Sequence, residues 1–180
     1  MHNVKNATSA LAISFSIGIK IKTIKEGLLS FKGVQRRFNF LFKKNKTIFF
    51  DDYAHHPTEI ASVLDGVKEV YKKKEIICIF QPHRVSRVKN LKLEFSKCFK
   101  KSDTVLLCPI YRANENIKLG FSYNSFAKLI IKNSKVKLIE INDEEQLQKF
   151  LKQTANGSKI YIGMGAGSIS SWMRNLKNNI

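Results

Sequence analysis

Residues 47–59 read TIFFDDYAHHPTE, an apolar strand that runs directly into two carboxylates, a tyrosine and two histidines, and this stretch decides the fold class. Pro57 then begins a helix, since proline is favoured in the first helical turn. Polar side chains at the carboxyl end of a strand face the crevice in which α/β proteins bind ligands. Because neighbouring strand residues point to opposite faces, at least one of Asp51 and Asp52 must meet the interior of the sheet. The alternative is a helix-capping segment with a solvated pair of aspartates.

The rest of the chain alternates apolar strands with amphipathic helices. Apolar runs that are continuous are typical of a parallel sheet covered by helices on both faces. The sequence therefore predicts a Rossmann-like, doubly wound α/β domain with a mostly parallel sheet over residues 33–180, and a separate helical segment over residues 1–32. The predicted strands cover 36–42, 47–50, 75–80, 104–110, 136–141 and 159–162, and the predicted helices cover 1–30, 57–73, 86–100, 124–132, 143–153 and 168–176.

Two local patterns make finer predictions. Phe38, Phe40 and Phe42 alternate along the first strand and should share one of its faces. Asp143 should cap the helix that follows it, because Gln146 lies three residues further on in a capping-box arrangement.

Composition limits the classes of function open to the chain. The formal net charge is +18 at pH 7, but lysine is spread over almost every segment, which indicates compositional bias more than a nucleic-acid-binding face. No apolar run approaches the roughly 18 residues typical of a membrane-spanning helix, and no secretory signal pattern opens the chain. Cys78, Cys98 and Cys108 are scattered without metal-ligand spacing, which favours buried, reduced thiols. We therefore expect a cytoplasmic protein with neither a nucleic-acid nor a membrane partner.

Two motifs before the decisive stretch carry polar groups suited to ligands. Asn3 and Asn6 share one helix face and could bond the edge of a heterocycle, although asparagine near a helix start is often a cap. Arg36 and Arg37 follow a turn at Gly33. A fixed positive charge in that position suits a phosphate, although arginine pairs are also common on surfaces.

Two further motifs follow later strands. In the segment FQPHRVSR, residues 80–87, Arg84 and Arg87 lie three apart at a helix start and can hold a carboxylate. Cationic side chains at a helix start oppose the macrodipole, so a bound anion explains them better than solvation does. A glycine cluster, residues 163–167, lies at the last strand-to-helix turn. We expect a tight turn there, with a phosphate-binding fingerprint as the alternative.

In order and spacing these motifs resemble those of the Mur ligases. The resemblance covers essentially the whole chain but matches only the carboxyl-terminal part of such an enzyme. It implies that residues 1–32 are the helical tail of a central ATP-binding domain and that residues 33–180 are the Rossmann-like carboxyl-terminal domain. The matching segments are His2-Asn-x-x-Asn6-Ala7, Gly33-Val-x-Arg36-Arg37-Phe38, DDYAHHPTE (51–59) and FQPHRxSR (80–87).

The resemblance also implies an activity and a set of binding residues. The implied enzyme is an ATP- and Mg²⁺-dependent ligase of peptidoglycan biosynthesis that adds L-alanine to UDP-N-acetylmuramate through an acyl phosphate. Arg37 and His83 would act in catalysis, and His83, Arg84 and Arg87 would bind the L-alanine carboxylate. The residues implied in nucleotide binding are Asn3, Asn6, Arg37, Asp52, Tyr53 and His55.

The chain departs from the family pattern in one respect. It contains no Gly-x-x-Gly-Lys-Thr phosphate loop. We therefore expect a carboxyl-terminal portion that is inactive alone, with the UDP-sugar-binding domain, the central domain and the magnesium ligands upstream of Met1, and with no metal ligand of its own. The alternatives are a related ligase that attaches a recycled murein tripeptide and a non-catalytic nucleotide- or peptide-binding remnant. Residues 80–84 and Glu59 favour the alanine ligase over the tripeptide ligase.

Overall fold

The computed structural model describes residues 2–31 and 33–180, with side chains from Val4 onward. The chain divides into two units, Met1–Val34 and Gln35–Ile180. The first unit contains helices α1 (His2–Ser16) and α2 (Ile21–Ser30). The sequence predicts a helical segment here with a break at Gly18, and the two helices separate near that residue, whose φ is +86°. Many of its apolar side chains are exposed: Val4, Leu11, Ile13, Phe15, Ile17, Ile21 and Leu29.

The second unit is built on a six-stranded sheet with the order β1-β2-β6-β3-β4-β5. β1 runs antiparallel to β2, and every other neighbouring pair is parallel. The predicted mostly parallel α/β fold is therefore confirmed. The strands are β1 (Asn39–Lys44), β2 (Thr47–Asp52), β3 (Glu75–Phe80), β4 (Thr104–Leu107), β5 (Lys137–Glu140) and β6 (Lys159–Met164).

Helices cover both faces of this sheet, as a doubly wound fold requires. One apolar core includes Phe80 of the sheet with Leu64, Phe95 and Phe126 of helices on that side. The other core lies on the opposite face and includes Phe49 and Ile79 of the sheet with Leu147 and Met173. The helices are α3 (Pro57–Val70), α4 (Val85–Asn90), α5 (Lys92–Lys97), α6 (Tyr123–Ser134), α7 (Glu144–Thr154) and α8 (Ile169–Asn179).

The predicted helix at 86–100 is wrong in one respect, because it breaks into α4 and α5 at Leu91. Leu91 has φ −114° and ψ 25°, outside the helical region, and its side chain packs against the first core. The strand predicted at 104–110 ends at Leu107, shortly before Pro109, which has no N–H to donate to a ladder. Asp143 caps α7 as predicted, since its carboxylate accepts a 2.8 Å hydrogen bond from the Gln146 N–H.

The prediction that Phe38, Phe40 and Phe42 share one face is also wrong. Phe38 stacks on Phe50 with ring centroids 4.3 Å apart, whereas Phe42 stacks on Phe49 at 4.4 Å, in the opposite core. The register shifts between Phe40 and Phe42. Such a bulge inserts an extra residue and changes the face that the following side chains occupy.

The three thiols lie inside the fold, as expected. Cys78, Cys98 and Cys108 are free and buried. Burial raises the pKa of Cys108 to about 12, so the thiol form dominates at neutral pH. Among the helices of residues 2–31 and 33–180, none is both long enough and apolar enough to cross a membrane.

Gly66 offers a stability test of helix α3. A Cβ added there would meet no heavy atom within 4 Å, because the position is open. Gly66→Ala should raise the free energy of unfolding by roughly 0.5–1 kcal/mol, since glycine loses more backbone entropy than alanine on forming a helix. Thermal or urea unfolding of the two proteins measures this. A lower midpoint for Gly66→Ala would contradict the helical conformation assigned to this position.

Candidate functional site

Five chain segments meet at the carboxyl edge of the parallel strands, where ligands bind in open α/β sheets. Each segment follows or precedes a strand whose register fixes its position. These segments are residues 36–38 before β1, 51–59 at and beyond the end of β2, 81–87 after β3, 108–115 after β4 and 163–168 at and beyond the end of β6.

The aspartate pair divides between the two faces of the sheet. Asp51 is 1% exposed and accepts a hydrogen bond from Ser170 of α8, with Arg174 Nη2 3.8 Å away. Its Oδ1 has no hydrogen-bond partner among the side chains and backbone that the structure describes. Asp52 is 5% exposed and lies on the other face. The alternative of a solvated aspartate pair is therefore wrong.

Asp52 holds two backbone segments together. Its Oδ2 accepts from the Phe38 N–H and its Oδ1 from the Ala54 N–H, both at 2.7 Å. Burial raises the pKa of Asp52, an effect that these two hydrogen bonds and the Arg37 charge partly offset. A carboxylate has roughly four lone-pair positions, and these two hydrogen bonds use two of them. Hydrogen bonds from ribose hydroxyls to the other positions stay a prediction.

The two neighbouring arginines take different positions. Arg36 points inward: its Nη2 donates to the Gly165 carbonyl at 2.8 Å, and its guanidinium lies 4.6 Å from the Tyr53 ring centroid. The Tyr53 N–H donates to the Arg36 carbonyl at 2.6 Å. Arg37 is exposed, and its role toward a phosphate stays a prediction. The sequence contains no signal that distinguishes the two.

The histidines and Glu59 organise the start of α3. His56 is the N-cap and accepts from the Thr58 N–H, while the Glu59 carboxylate accepts from the N–H groups of His55 and His56 at 3.1 and 3.2 Å. Burial of Glu59 works to raise its pKa, but these hydrogen bonds and the His55 and Arg37 charges lower it overall. The capping interpretation is thus correct for His56 and Glu59.

The arginine motif after β3 is held in an unusual backbone conformation. Arg84 is the N-cap of α4 with φ +69°, and its N–H donates to the Tyr111 carbonyl at 2.8 Å. Its side chain is exposed. Arg87 is half-buried and its Nη1 lies 3.2 Å from His83 Nδ1 and 3.3 Å from the His83 carbonyl. A positive φ in a non-glycine residue is strained, and here the Tyr111 contact helps to hold it.

His83 is the centre of an aromatic cluster. Its ring stacks on Tyr111 with centroids 5.6 Å apart and meets His55 edge-on at 5.8 Å. Burial lowers the pKa of His83, and the Arg87 charge lowers it further, which favours the neutral ring. The structure therefore brings together His55, His83, Arg84 and Arg87, which the sequence had placed in two separate motifs.

Sequence reasoning missed the segment after β4. Tyr111 forms an isolated parallel bridge with His83, and its N–H donates to the Pro82 carbonyl at 2.8 Å. The Glu115 carboxylate accepts from both the N–H and the hydroxyl of Ser86, and these bonds lower the pKa of Glu115. One signal could have found Glu115: it is the only acidic residue between Asp103 and Glu140.

The glycine cluster forms a closely packed turn. A Cβ on Gly165 would lie 2.7 Å from the Gln81 carbonyl oxygen, and one on Gly167 would lie 2.5 Å from Tyr111 Cγ. Gln81 Oε1 accepts from the Ile169 N–H at 3.0 Å and so occupies the start of α8. The prediction of a tight turn is confirmed. The Ile169 N–H already donates to Gln81 and is therefore not available to a phosphate.

Two predicted nucleotide ligands lie in the first unit. Asn6 is exposed on α1, and the side chain of Asn3 lies outside the part of the chain that the structure describes. Their role toward adenine stays a prediction. In the described ranges, no group of three or more His, Cys, Asp or Glu side chains is arranged to hold a metal ion.

Comparison with known proteins identifies close relatives of this arrangement. Residues 36–167 match the family model "Mur ligase, glutamate ligase domain". A UDP-N-acetylmuramate–L-alanine ligase of Pelagibacter ubique is 61% identical over 176 residues, which are 98% of this chain and 38% of that protein. A ligase with the same name from Rhizobium etli is 38% identical over 95% of this chain and 36% of its own length. The chain thus spans less than two fifths of the curated relatives that it matches.

Solved structures agree with the fold. The UDP-N-acetylmuramate–alanine ligase of Thermotoga maritima superposes with a TM-score of 0.76 and 27% identity, covering 99% of this chain and 37% of that one. A murein peptide ligase from Psychrobacter arcticus has a TM-score of 0.73 at 23% identity, over 99% of this chain and 37% of its own. The second likeness supports the fold alone.

Proposed function

The chain belongs to the Mur ligase family, and from this premise we propose that it supplies the amino-acid- and nucleotide-binding part of a ligase that joins L-alanine to UDP-N-acetylmuramate. The observation that carries the proposal is the meeting of His55, His83, Arg84 and Arg87 at one edge of the sheet. Two arginines beside a neutral imidazole provide donors for the carboxylate of a small amino acid.

The proposed reaction requires the amine to be aligned with an activated carboxyl group. ATP with Mg²⁺ would supply that activation by converting the muramate carboxylate to an acyl phosphate. Arg84 and Arg87 would then bind the L-alanine carboxylate and orient its amine. Holding two reactants in attack geometry contributes on the order of 7–11 kcal/mol to lowering a barrier, so this clamp would supply a large share of the rate.

The nucleotide would lie against the other half of the edge. Arg37 is exposed and cationic, so it can approach phosphate oxygens, while Asp52 and Tyr53 lie at the end of β2, with the Asp52 carboxylate fixed in place. The fit to ATP is partial, because these 180 residues contain no Gly-x-x-Gly-Lys-Thr loop to cradle its phosphates. We therefore expect no ATP turnover by the 180-residue chain alone.

A chimaeric ligase tests this proposal. The chain replaces the 176 matching residues of the Pelagibacter ubique relative, which supplies the remaining length. We expect the chimaera to form UDP-N-acetylmuramoyl-L-alanine and ADP from ATP, L-alanine and UDP-N-acetylmuramate, measured by chromatography of the products. The unmodified relative is the positive control, and circular dichroism with thermal unfolding shows whether the chimaera is folded.

The same assay separates the other candidate functions. Competition between L-alanine and the murein tripeptide identifies the preferred amine, and a preference for the tripeptide would replace the proposal with the recycling ligase. A folded chimaera that yields neither product would indicate a non-catalytic binding domain and would overturn the proposal.

A further inference from the structure

The contacts of His83 determine which of its ring nitrogens carries the proton. Arg87 Nη1 lies 3.2 Å from His83 Nδ1. A guanidinium has only donors, so Nδ1 must offer a lone pair, and the proton of the neutral ring must be on Nε2. The lowered pKa of His83, caused by burial and then by the Arg87 charge, agrees with a neutral ring. His83 therefore presents a hydrogen-bond donor at Nε2.

The contacts of His55 impose the opposite arrangement. His55 Nδ1 lies 2.8 Å from the Tyr53 carbonyl oxygen. A carbonyl only accepts hydrogen bonds, so Nδ1 carries the proton, and Nε2 of the neutral ring has the free lone pair. Glu59 Oε2 lies 3.6 Å from the same Nδ1. The Tyr53 carbonyl fixes the orientation of the ring, while the Glu59 carboxylate lies near the Nδ1–H at a distance beyond that of a hydrogen bond.

These two rings are neighbours, since their centroids lie 5.8 Å apart in an edge-on arrangement. One edge of the sheet thus holds a fixed acceptor, a fixed donor and the Arg84–Arg87 pair. A zwitterionic amino acid needs this combination, because its carboxylate requires donors and its ammonium group must lose a proton before the nitrogen can attack a carbonyl carbon.

Resting on the function proposed above, we propose that His55 is the general base that takes a proton from the α-ammonium group of the incoming amino acid at Nε2, while His83 donates from Nε2–H to the carboxylate. This assigns His55 to the amine instead of the nucleotide. The freed amine forms the C–N bond with the acyl carbon as the C–O bond to phosphate breaks. The phosphate leaves with the second proton of the nitrogen, and His55 later releases its proton to solvent.

Charged groups lie around both rings. Glu59 and His83 face His55, with Arg37 acting on Glu59, whereas Arg84, Arg87 and Glu115 surround His83.

Nitrogen NMR of the 180-residue chain tests the tautomers without any catalytic assay. Long-range proton–nitrogen spectra at neutral pH should show the proton of His55 on Nδ1 and that of His83 on Nε2, with the signals assigned from His55→Gln and His83→Gln. Arg87→Met should raise the pKa of His83, because the Arg87 charge that lowers this pKa is removed. It should also let the proton of the neutral ring occupy either nitrogen, because the donor that faces Nδ1 is lost. Lys89→Met, in the same helix, should change neither. A His55 proton on Nε2, or a His83 proton on Nδ1, overturns the inference.

Kinetics in the chimaeric ligase tests the proton transfer. His55→Ala should lower kcat by about 100-fold or more, the usual contribution of a general base, and added imidazole should restore part of the rate in proportion to its neutral fraction. A rate that falls in His55→Ala but does not respond to imidazole would refute the general-base assignment. If the parent chimaera makes no product, the proposed function fails, while the NMR spectra still decide the tautomers.

Discussion

Arg87→Met should lower kcat/KM for L-alanine by about 100-fold in the chimaeric ligase, because a hydrogen bond to a charged group contributes roughly 1.5–3 kcal/mol and each ~1.4 kcal/mol is tenfold in rate. Arg87 Nη1 lies 3.2 Å from His83 Nδ1, and in the proposed function Arg87 also binds the substrate carboxylate. The loss should therefore appear in both KM and kcat. Steady-state kinetics with varied L-alanine measures the two separately.

Two companion variants locate the cause of that loss. Arg87→Lys keeps the charge but not the planar fork, so it should recover only part of kcat/KM. Lys89→Met removes a neighbouring exposed charge from the same short helix and should leave the kinetics unchanged. An Arg87→Met enzyme that is folded and retains the parent kcat/KM would remove Arg87 from the amino-acid site.

The sheet could be predicted from sequence because its signal is local. Apolar runs such as 75–80 alternate with helical segments, and the strand-to-helix stretch at 51–59 fixes the edge on which polar residues gather. That Asp51 and Asp52 point to opposite faces also follows from strand geometry, whereas the burial of both exceeds the one that the pattern required. In each case the information lies within a few consecutive residues.

The missed features depend on contacts between distant parts of the chain. Arg36 and Arg37 cannot be told apart in the sequence. Arg36 points inward because it donates to the Gly165 carbonyl, which lies 129 residues away along the chain. Tyr111 and Glu115 belong to a segment without regular structure, and their roles appear only when β4 lies beside β3. The bulge between Phe40 and Phe42 likewise results from pairing with β2.

The glycine turn connects these distant contacts, which is why its substitution should be costly. Gly165 has φ +152°, and its carbonyl accepts from Arg36, which in turn lies over Tyr53. An added Cβ would lie 2.7 Å from the Gln81 backbone oxygen and 3.0 Å from Ile169 Cγ2. A clash with backbone cannot be relieved by turning a side chain, so the turn itself would have to shift.

Gly165→Ala should therefore lower the free energy of unfolding by about 3 kcal/mol, since overpacking costs roughly 1–3 kcal/mol and an unfavourable φ adds about 1–3 kcal/mol. Gly157→Ala is the matched control, because Gly157 also has a positive φ of +78° but open space around an added Cβ. It should show the cost of φ alone. Urea unfolding of both variants measures the difference. Equal losses would show that the close approach of Gln81 to the turn contributes nothing, and would remove the packing argument for this glycine.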